Sequence, residues 1–388
     1  DWEQRKLGDV FEQTSNLVNP KEDEIELWSL TVEDGLTKKS DRYNREFLVK
    51  KDDNFKEVRP GDIVYNPMNM TLGAVGYNGM AKSVAVSGYY TTMVAKENYD
   101  TYYINTWLKS PQAIRLYRTY ATGSLIEKQR VQFPTLSIIP VTFPKYEEQI
   151  KIGSYFHSID NLITLHQRKC EQTKKMKKYM LQKMFPQNGA KVPEIRFDGF
   201  TYDWEQRKLG DVFEQTSNLV NPKEDEIELW SLTVEDGLTK KSDRYNREFL
   251  VKKDDNFKEV RPGDIVYNPM NMTLGAVGYN GMAKSVAVSG YYTTMVAKEN
   301  YDTYYINTWL KSPQAIRLYR TYATGSLIEK QRVQFPTLSI IPVTFPKYEE
   351  QIKIGSYFHS IDNLITLHQR KCDELKKMKK YMLQNMFI

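Results

Sequence analysis

Across residues 147–185 the side chains fall on a seven-residue beat. Ile152, Ile159, His166, Thr173 and Met180 recur at that interval. Phe156, Ile163 and Cys170 form a second row, and Leu162, Leu165 and Met176 fill in around it. Such a seam predicts a long helix that requires a partner helix. Pro144 stands just ahead of it and Glu147 and Glu148 fall in its first turn, while Lys174, Lys175, Lys177 and Lys178 crowd its far end. Each charge sits where the helix dipole favours it. At 1.5 Å per residue the run would extend about 58 Å, the length of a spacer rather than of a core helix.

Ahead of this helix the pattern changes to short runs. Residues 2–11 read as an opening segment leading into a short helix, and residues 16–23 as a polar loop. Residues 24–31 alternate well enough for a strand, followed by an Asp34-Gly35 turn. Arg59-Pro60-Gly61-Asp62 makes a tight turn into the apolar strand Ile63-Val64-Tyr65, which Asn66-Pro67-Met68-Asn69-Met70 interrupts. Residues 72–77, 83–86 and 90–95 read as further strands, and 101–110 and 111–120 as helices, with Pro111 suited to a first helical position. Residues 136–143 form an apolar run closed by Pro144. The unit predicted is a mixed α/β domain with a protruding helix.

That unit is written twice. Residues 1–186 realign onto 203–388 with an offset of 202, and they differ at five positions: Glu171/Asp373, Gln172/Glu374, Thr173/Leu375, Lys183/Asn385 and Pro186/Ile388. The period is too long for a solenoid and implies two copies of a complete globular unit. All five differences lie in or just after the helix, which fits drift in a tolerant region or a pair tuned to be unequal. The expected divisions are a domain at 1–143 with its helix at 144–186, a linker at 187–202, and a second domain at 203–345 with its helix at 346–388. The second copy is preceded by residues 192–202, whereas the chain starts at Asp1. The first copy is expected to have lost a matching lead-in.

Composition narrows the class. The 388 residues are 40% hydrophobic, enough for two cores, with no run that would cross a membrane and no secretory signal at the start. The two cysteines, Cys170 and Cys372, are one position in two copies, so no disulfide framework is expected and the composition suits a reducing cytoplasm. His166 and Cys170 have the i, i+4 spacing of a metal pair, but further ligands are missing nearby. A seam histidine and a buried thiol are the expectation, with no metal.

The net charge of +6 is a weak signal by itself. Clustering sharpens it: Lys38, Lys39, Arg42, Tyr43 and Arg45; Arg115, Tyr117, Arg118 and Tyr120; then Lys128, Gln129 and Arg130. Cationic and amide groups interleaved with tyrosine suit phosphates, base edges and base faces. Asn66-Pro67-Met68-Asn69 faintly resembles the Asn-Pro-Pro-aromatic signature of amino-methyltransferases, but the second proline and the aromatic are absent. No glycine-rich turn offers a methyl donor a seat, and P-loop and Gly-X-Ser-X-Gly motifs are missing too. A structural turn is the better account of that stretch. The expectation is a reader without a catalytic residue.

The chain resembles the specificity subunit of type I restriction-modification systems. The matching stretches are Trp2-Glu3-Gln4-Arg5-Lys6-Leu7-Gly8, Gly61-Asp62-Ile63-Val64-Tyr65-Asn66, Ser87-Gly88-Tyr89-Tyr90 and Thr122-Gly123-Ser124. The most specific is the run from Ile138 to Phe143, closed by Pro144 and followed by Glu147-Glu148-Gln149 and the lysine-ended helix. The resemblance covers essentially the whole chain, twice.

It implies an α+β protein of two target recognition domains joined by an antiparallel coiled coil of two long helices, pseudo-twofold symmetric, docked on the two halves of a split DNA site. The seam would be Ile152, Phe156, Ile159, Ile163, His166, Cys170, Thr173 and Met180 against Ile354, Phe358, Ile361, Ile365, His368, Cys372, Leu375 and Met382. It implies a non-catalytic subunit that binds no cofactor itself. The partners implied are adenine-methylating modification subunits, expected in two copies, which use S-adenosylmethionine, and restriction subunits that use ATP and Mg. Recognition domains of this family normally differ from one another, whereas these are identical. Identical readers under a twofold axis face opposite strands, so the target expected is an inverted repeat around a nonspecific gap. The duplication fits a natural or an engineered origin.

The candidate DNA contacts, chosen by residue type, are Lys38, Lys39, Arg42, Tyr43, Arg45, Asn66, Asn69, Arg115, Arg118, Lys128, Gln129 and Arg130. Their copies are Lys240, Lys241, Arg244, Tyr245, Arg247, Asn268, Asn271, Arg317, Arg320, Lys330, Gln331 and Arg332. Two other readings remain: a coiled-coil-linked scaffold for protein partners, and an adenine methyltransferase in its own right, the weakest of the three because the methyl-donor motif is missing.

Overall fold

The computed structural model describes residues 2–38, 54–123, 129–187, 189–240, 256–325 and 331–387. The chain divides into two compact units, one of Asp1–Gln167 with Gln369–Ile388 and the other Arg168–His368. The division falls inside the long helices, so each unit holds the first part of one and the last part of the other.

In the first unit, β1 (Glu3–Lys6), the single turn α1 (Leu7–Val10) and β2 (Phe11–Thr14) lead to β3 (Leu17–Val18) and the hairpin of β4 (Trp28–Thr31) and β5 (Gly35–Lys38). Then come β6 (Phe55–Val58), β7 (Ile63–Tyr65), β8 (Val75–Tyr77), β9 (Val84–Ser87) and β10 (Thr91–Ala95). An antiparallel sheet runs in the order β2-β10-β7-β8, and a second in the order β3-β6-β9. Helices α2 (Thr101–Leu108) and α3 (Pro111–Tyr120) are followed by the short α4 (Phe133–Ser137) and by β11 (Pro140–Phe143), which pairs with β1. The second unit repeats this order.

Alternation along the strands places the core. On β7, Ile63 and Tyr65 join a large core with Val10, Phe11, Met93, Trp107 and Phe143. Val64 turns to a smaller one of Leu30, Val58, Ala74, Val84 and Val86. A strand covered on both faces must be apolar throughout, as Ile63-Val64-Tyr65 is. Two runs depart from the sequence pattern. The stretch 136–143 is not a single extended run: Pro134 starts a helical turn that Ser137 Oγ closes by donating to the Pro134 carbonyl at 2.8 Å, and only Pro140–Phe143 is strand. Leu72 lies in the short 3₁₀ turn Met70–Leu72, which Gly73 ends at φ 89°, so the strand begins later, at Val75.

The long helix α5 runs Tyr146–Lys183, and its copy runs Tyr348–Asn385. Its start explains the Glu-Glu-Gln motif. Gln149 is buried; its Oε1 accepts from the Asp100 N–H at 3.1 Å and its Nε2 donates to the Pro144 carbonyl at 2.8 Å. Asp100 in turn caps α2, accepting from the Tyr103 N–H at 2.7 Å. Gly153 lets the helix lie against this cap, because a Cβ there would collide with Asp100 Oδ1.

Within the first unit, Ile152, Phe156, Ile159 and Ile163 are buried, and the tail of the second long helix passes over them. Phe387 stacks on Phe156 at 6.0 Å, Lys379 Nζ donates to Asp160 Oδ1 at 2.6 Å, and Cys372 Sγ lies 3.7 Å from the Ile163 carbonyl oxygen. As the numbers rise on one helix they fall on the other, so the segments are antiparallel. The second unit shows the same: Phe185 stacks on Phe358, Lys177 Nζ donates to Asp362 at 2.5 Å, and Cys170 Sγ lies 4.0 Å from the Ile365 carbonyl oxygen. Ile354 and Ile361 are buried, whereas Ile365, His166, His368, Thr173, Leu375, Met180 and Met382 are half-buried. Leu162, Leu165 and Met176 do not fill in around the seam; they are exposed. Leu162 and Leu165 each sit one residue, about 100° of helix, from a seam position.

Candidate nucleic-acid interface

Among the described candidates of the first unit, Asn66 and Asn69 lie on the loop that follows β7, and Arg115, Arg118, Gln129 and Arg130 lie on the elements joined to it. Asn66 is used partly by that loop: its Oδ1 accepts from the Met68 N–H at 3.0 Å and its backbone N–H donates to Ala74 at 3.1 Å. The Asn69 carbonyl accepts from Leu72 and Ala74, but its side chain makes no cap and is exposed. Its amide is therefore open to a partner, with the donor and acceptor that an adenine edge requires.

Two elements buttress this loop. Helix α3 packs on the 3₁₀ turn, with Ile114 Cδ1 3.4 Å from where a Gly73 Cβ would stand. Ser110 caps α3 by accepting from Ala113, and Ala113 and Tyr117 face the core. The helical period then puts Arg115 and Arg118, three apart, on an exposed face. The segment after residue 128 is tied in by a bond from the Val131 N–H to the Pro67 carbonyl at 3.0 Å. There Arg130 pairs with Thr122, leaving the Arg130 side chain exposed and Gln129 half-buried.

Lys38 is placed differently. It closes β5 and donates to Glu26 Oε1 at 3.1 Å, while Lys82 reaches Glu26 Oε2 at 3.0 Å. Hydrogen bonds from Lys82, Lys38 and the Trp28 indole hold the Glu26 carboxyl down at about 2. Lys38 thus has a carboxylate partner already, and so has Lys240 with Glu228 at 3.0 Å. Lys38 and Asn69 line one cleft of about 610 Å³ with Glu33, Asp34 and Thr37, which presents both signs of charge. Lys39, Arg42, Tyr43, Arg45 and Lys128 lie outside the described residues, as do Lys241, Arg244, Tyr245, Arg247 and Lys330.

The second unit places Asn268, Asn271, Arg320, Gln331 and Arg332 like their counterparts. Arg317 differs from Arg115: its Nη2 donates to Gln187 of the linker at 3.1 Å.

The exposed apolar side chains of this region are not among the candidates chosen by residue type. Met68 and Leu72 flank Asn69 and are exposed, and Tyr89 is 88% exposed at the turn between β9 and β10. That turn depends on Gly88, whose N–H bonds the Asn54 carbonyl at 2.8 Å and where a Cβ would come to 2.6 Å from the same oxygen. A large aromatic at the tip of a turn, with no apolar alternation to bury it, was the available signal.

The asparagine loop, the arginine face and the exposed apolar groups together offer base-edge, phosphate and stacking contacts. No three His, Cys, Asp or Glu side chains among the described residues are grouped to hold a metal ion. No described helix is long and apolar enough to cross a membrane.

Comparison with known proteins gives three findings. The family described as the type I restriction modification DNA specificity domain matches twice, over residues 1–175 and 202–377. A putative type I restriction enzyme specificity subunit, MjaX, of Methanocaldococcus jannaschii is 23% identical over 420 residues, spanning 99% of this chain and 92% of its own length. Among solved structures, the fold is similar to the crystal structure of a type I restriction-modification system S subunit from M. genitalium. The TM-score is 0.66 at 14% identity, covering 100% of this chain and 96% of the other.

Proposed function

Because the chain belongs to the type I restriction-modification DNA specificity family, we propose that it reads one DNA half-site twice, in inverted orientation, across a nonspecific gap. The observation that supports this is the duplication itself: both units carry the same residues in the candidate interface and build the asparagine loop with the same bonds, and Arg317 alone among the described candidates makes an added contact, to Gln187. The helix segments are antiparallel in each unit, which favours an inverted over a direct repeat.

In this reading the asparagine loop reads base edges and Arg115, Arg118 and Arg130 anchor phosphates, with their copies doing the same at the other half-site. The chain performs no catalysis. It positions modification subunits that methylate adenine with S-adenosylmethionine, and restriction subunits that use ATP and Mg, in the cytoplasm. Binding to duplex DNA is expected to be sequence-selective and to weaken steeply with salt as phosphate contacts displace counterions.

The experiment is a map of methylated adenines in a host carrying this chain and its modification subunit. The expected result is one twofold-symmetric sequence. A site with two different halves would overturn the inverted-repeat reading and leave the family membership intact.

A further inference from the structure

The lysine run near the end of each long helix does more than match the helix dipole. Within the first unit, the run of the second long helix lies beside the end of α2, where Lys376, Lys379 and Lys380 line a cleft of about 720 Å³ together with Lys109. The turn between β4 and β5 contributes Glu33 and Asp34. Lys379 donates to Asp160 Oδ1 at 2.6 Å, and the other Asp160 oxygen accepts from the Tyr102 hydroxyl at 2.6 Å. Both oxygens of that carboxylate are thus engaged, and Lys109, Lys376 and Lys380 have no ion-pair partner among the described residues.

Two groups in the cleft have opposite, unmet demands. Lys109 lies against the turn, its Nζ 3.1 Å from where a Gly35 Cβ would stand, and burial, reinforced by Lys379, holds its ammonium down to about 8. A desolvated ammonium without an acceptor requires an anion. Asn105, one helical turn earlier on α2, is 7% exposed, and its Oδ1 accepts no hydrogen bond. That buried acceptor requires a donor. Side chains four apart on a helix stand about 5–6 Å from one another, so one small ligand can meet both demands. Rings complete the lining: Tyr102 meets Tyr77 edge-on at 5.9 Å and His157 at 4.6 Å, and His157 is exposed. The second unit repeats these contacts. Lys311 is likewise down at about 8, Asn307 Oδ1 is buried without a partner, and Lys177 and the Tyr304 hydroxyl occupy Asp362. Residues 187–202 belong to that unit and leave these groups as they are, so the arrangement does not depend on what precedes a unit.

We propose that this cleft binds a nucleoside monophosphate whose base carries an amino group, one in each unit. The phosphate lies among Lys109, Lys376 and Lys380, the amino group donates to Asn105 Oδ1, and the base packs against Tyr77 and His157. The cleft is larger than a lone phosphate requires and falls in the size range of small-molecule sites. Glu33 and Asp34 also border the cleft of Lys38 and Asn69, where they repel a duplex backbone continued from one cleft into the other. A free nucleotide is therefore favoured over the phosphates of bound DNA.

The test is equilibrium dialysis of the full chain against adenosine 5′-monophosphate. Saturation at two molecules per chain is expected, with adenosine and inorganic phosphate each binding about tenfold or more weakly. Lys109→Met with Lys311→Met removes the ammonium and keeps an apolar stem, and is expected to weaken binding about tenfold or more. Lys376→Gln with Lys174→Gln, at exposed positions that do not endanger folding, should weaken it in the same direction. Lys377→Gln with Lys175→Gln, in the same run but outside the cleft, should leave it unchanged; circular dichroism checks that every variant is folded. Absence of saturation overturns the proposal, because water then fills the cleft. Equal affinity for inorganic phosphate, or an equal loss with Lys377→Gln and Lys175→Gln, overturns it too, since no base or no particular lysine would then be read. So does a duplex of arbitrary sequence that displaces the nucleotide and itself loses affinity with Lys109→Met and Lys311→Met, because the phosphates would then be those of DNA.

Discussion

Asn69 and Arg118 stand for the two kinds of contact expected at the interface, and they separate experimentally. The Asn69 amide is exposed beside a loop fixed by its own backbone bonds, which suits it to a base edge. Arg118 lies on the open face of α3, which suits it to a phosphate. Asn69→Ala together with Asn271→Ala is expected to relax one position in each half-site, at about 1–3 kcal/mol per contact. Arg118→Ala with Arg320→Ala is expected to weaken all duplexes alike and to lower the salt slope by about one per contact removed. Affinities for a panel of single-base variants at several salt concentrations distinguish these patterns, and equal losses across the panel for the asparagine pair would remove it from the base readers. At this scale the sequence was informative about residue type but not about partners. Lys38 looked like a member of a basic cluster, yet Glu26, twelve positions earlier, takes it, and Lys82 joins from another turn. A non-local ion pair of that kind leaves no periodic trace. Tyr89 lies in a stretch that carries the family resemblance but outside the candidate contacts; it is exposed beside Gly88, whose close approach to Asn54 is a contact across the sheet.

Most elements were legible because their residues answer to local rules. Ser110 before Pro111 starts α3, the Arg-Pro-Gly-Asp turn feeds β7, and the heptad rows foretell α5. The failures lie where a short apolar run had two local solutions. Residues 136–143 could have been one strand, but Pro134 opens a helical turn first, so the strand is confined to the last four residues. Gln149 is the case in which an element's motif acquired a physical meaning only in the fold. Its side chain joins the chain entering α5 to the cap of α2 while almost fully buried. Gln149→Ala with Gln351→Ala is therefore expected to leave a half-buried N–H and a buried carbonyl without their partners in each unit, costing about 1–3 kcal/mol per unit. Urea denaturation reads this as a lower midpoint at unchanged slope. A midpoint within error of the parent would mean that water replaces the amide and that the motif is not a structural clamp.

At the scale of the whole molecule, the two long helices are the elements shared by both compact units, and their length is the quantity most open to manipulation. Each has 38 residues, about 57 Å at 1.5 Å per residue. If that length sets the gap between half-sites, removing one heptad from each helix shortens the span by about 10 Å, close to three base pairs. Deleting residues 164–170 together with 366–372 keeps the seven-residue phase on both sides. Phe156 can still stack on Phe387 and Asp160 can still bond Lys379 in the first unit, with Phe358 on Phe185 and Asp362 on Lys177 in the second. A deletion of three or four residues would rotate these pairs out of register, so a protein shortened in that way serves as the control for damage to packing. The methylation map of the heptad variant is expected to show the parent's two half-sites around a gap shorter by about three base pairs. Half-sites that change along with the gap would mean that the helices shape the reading loops themselves. An unchanged gap would show that spacing is set elsewhere, by the partner subunits or by the DNA.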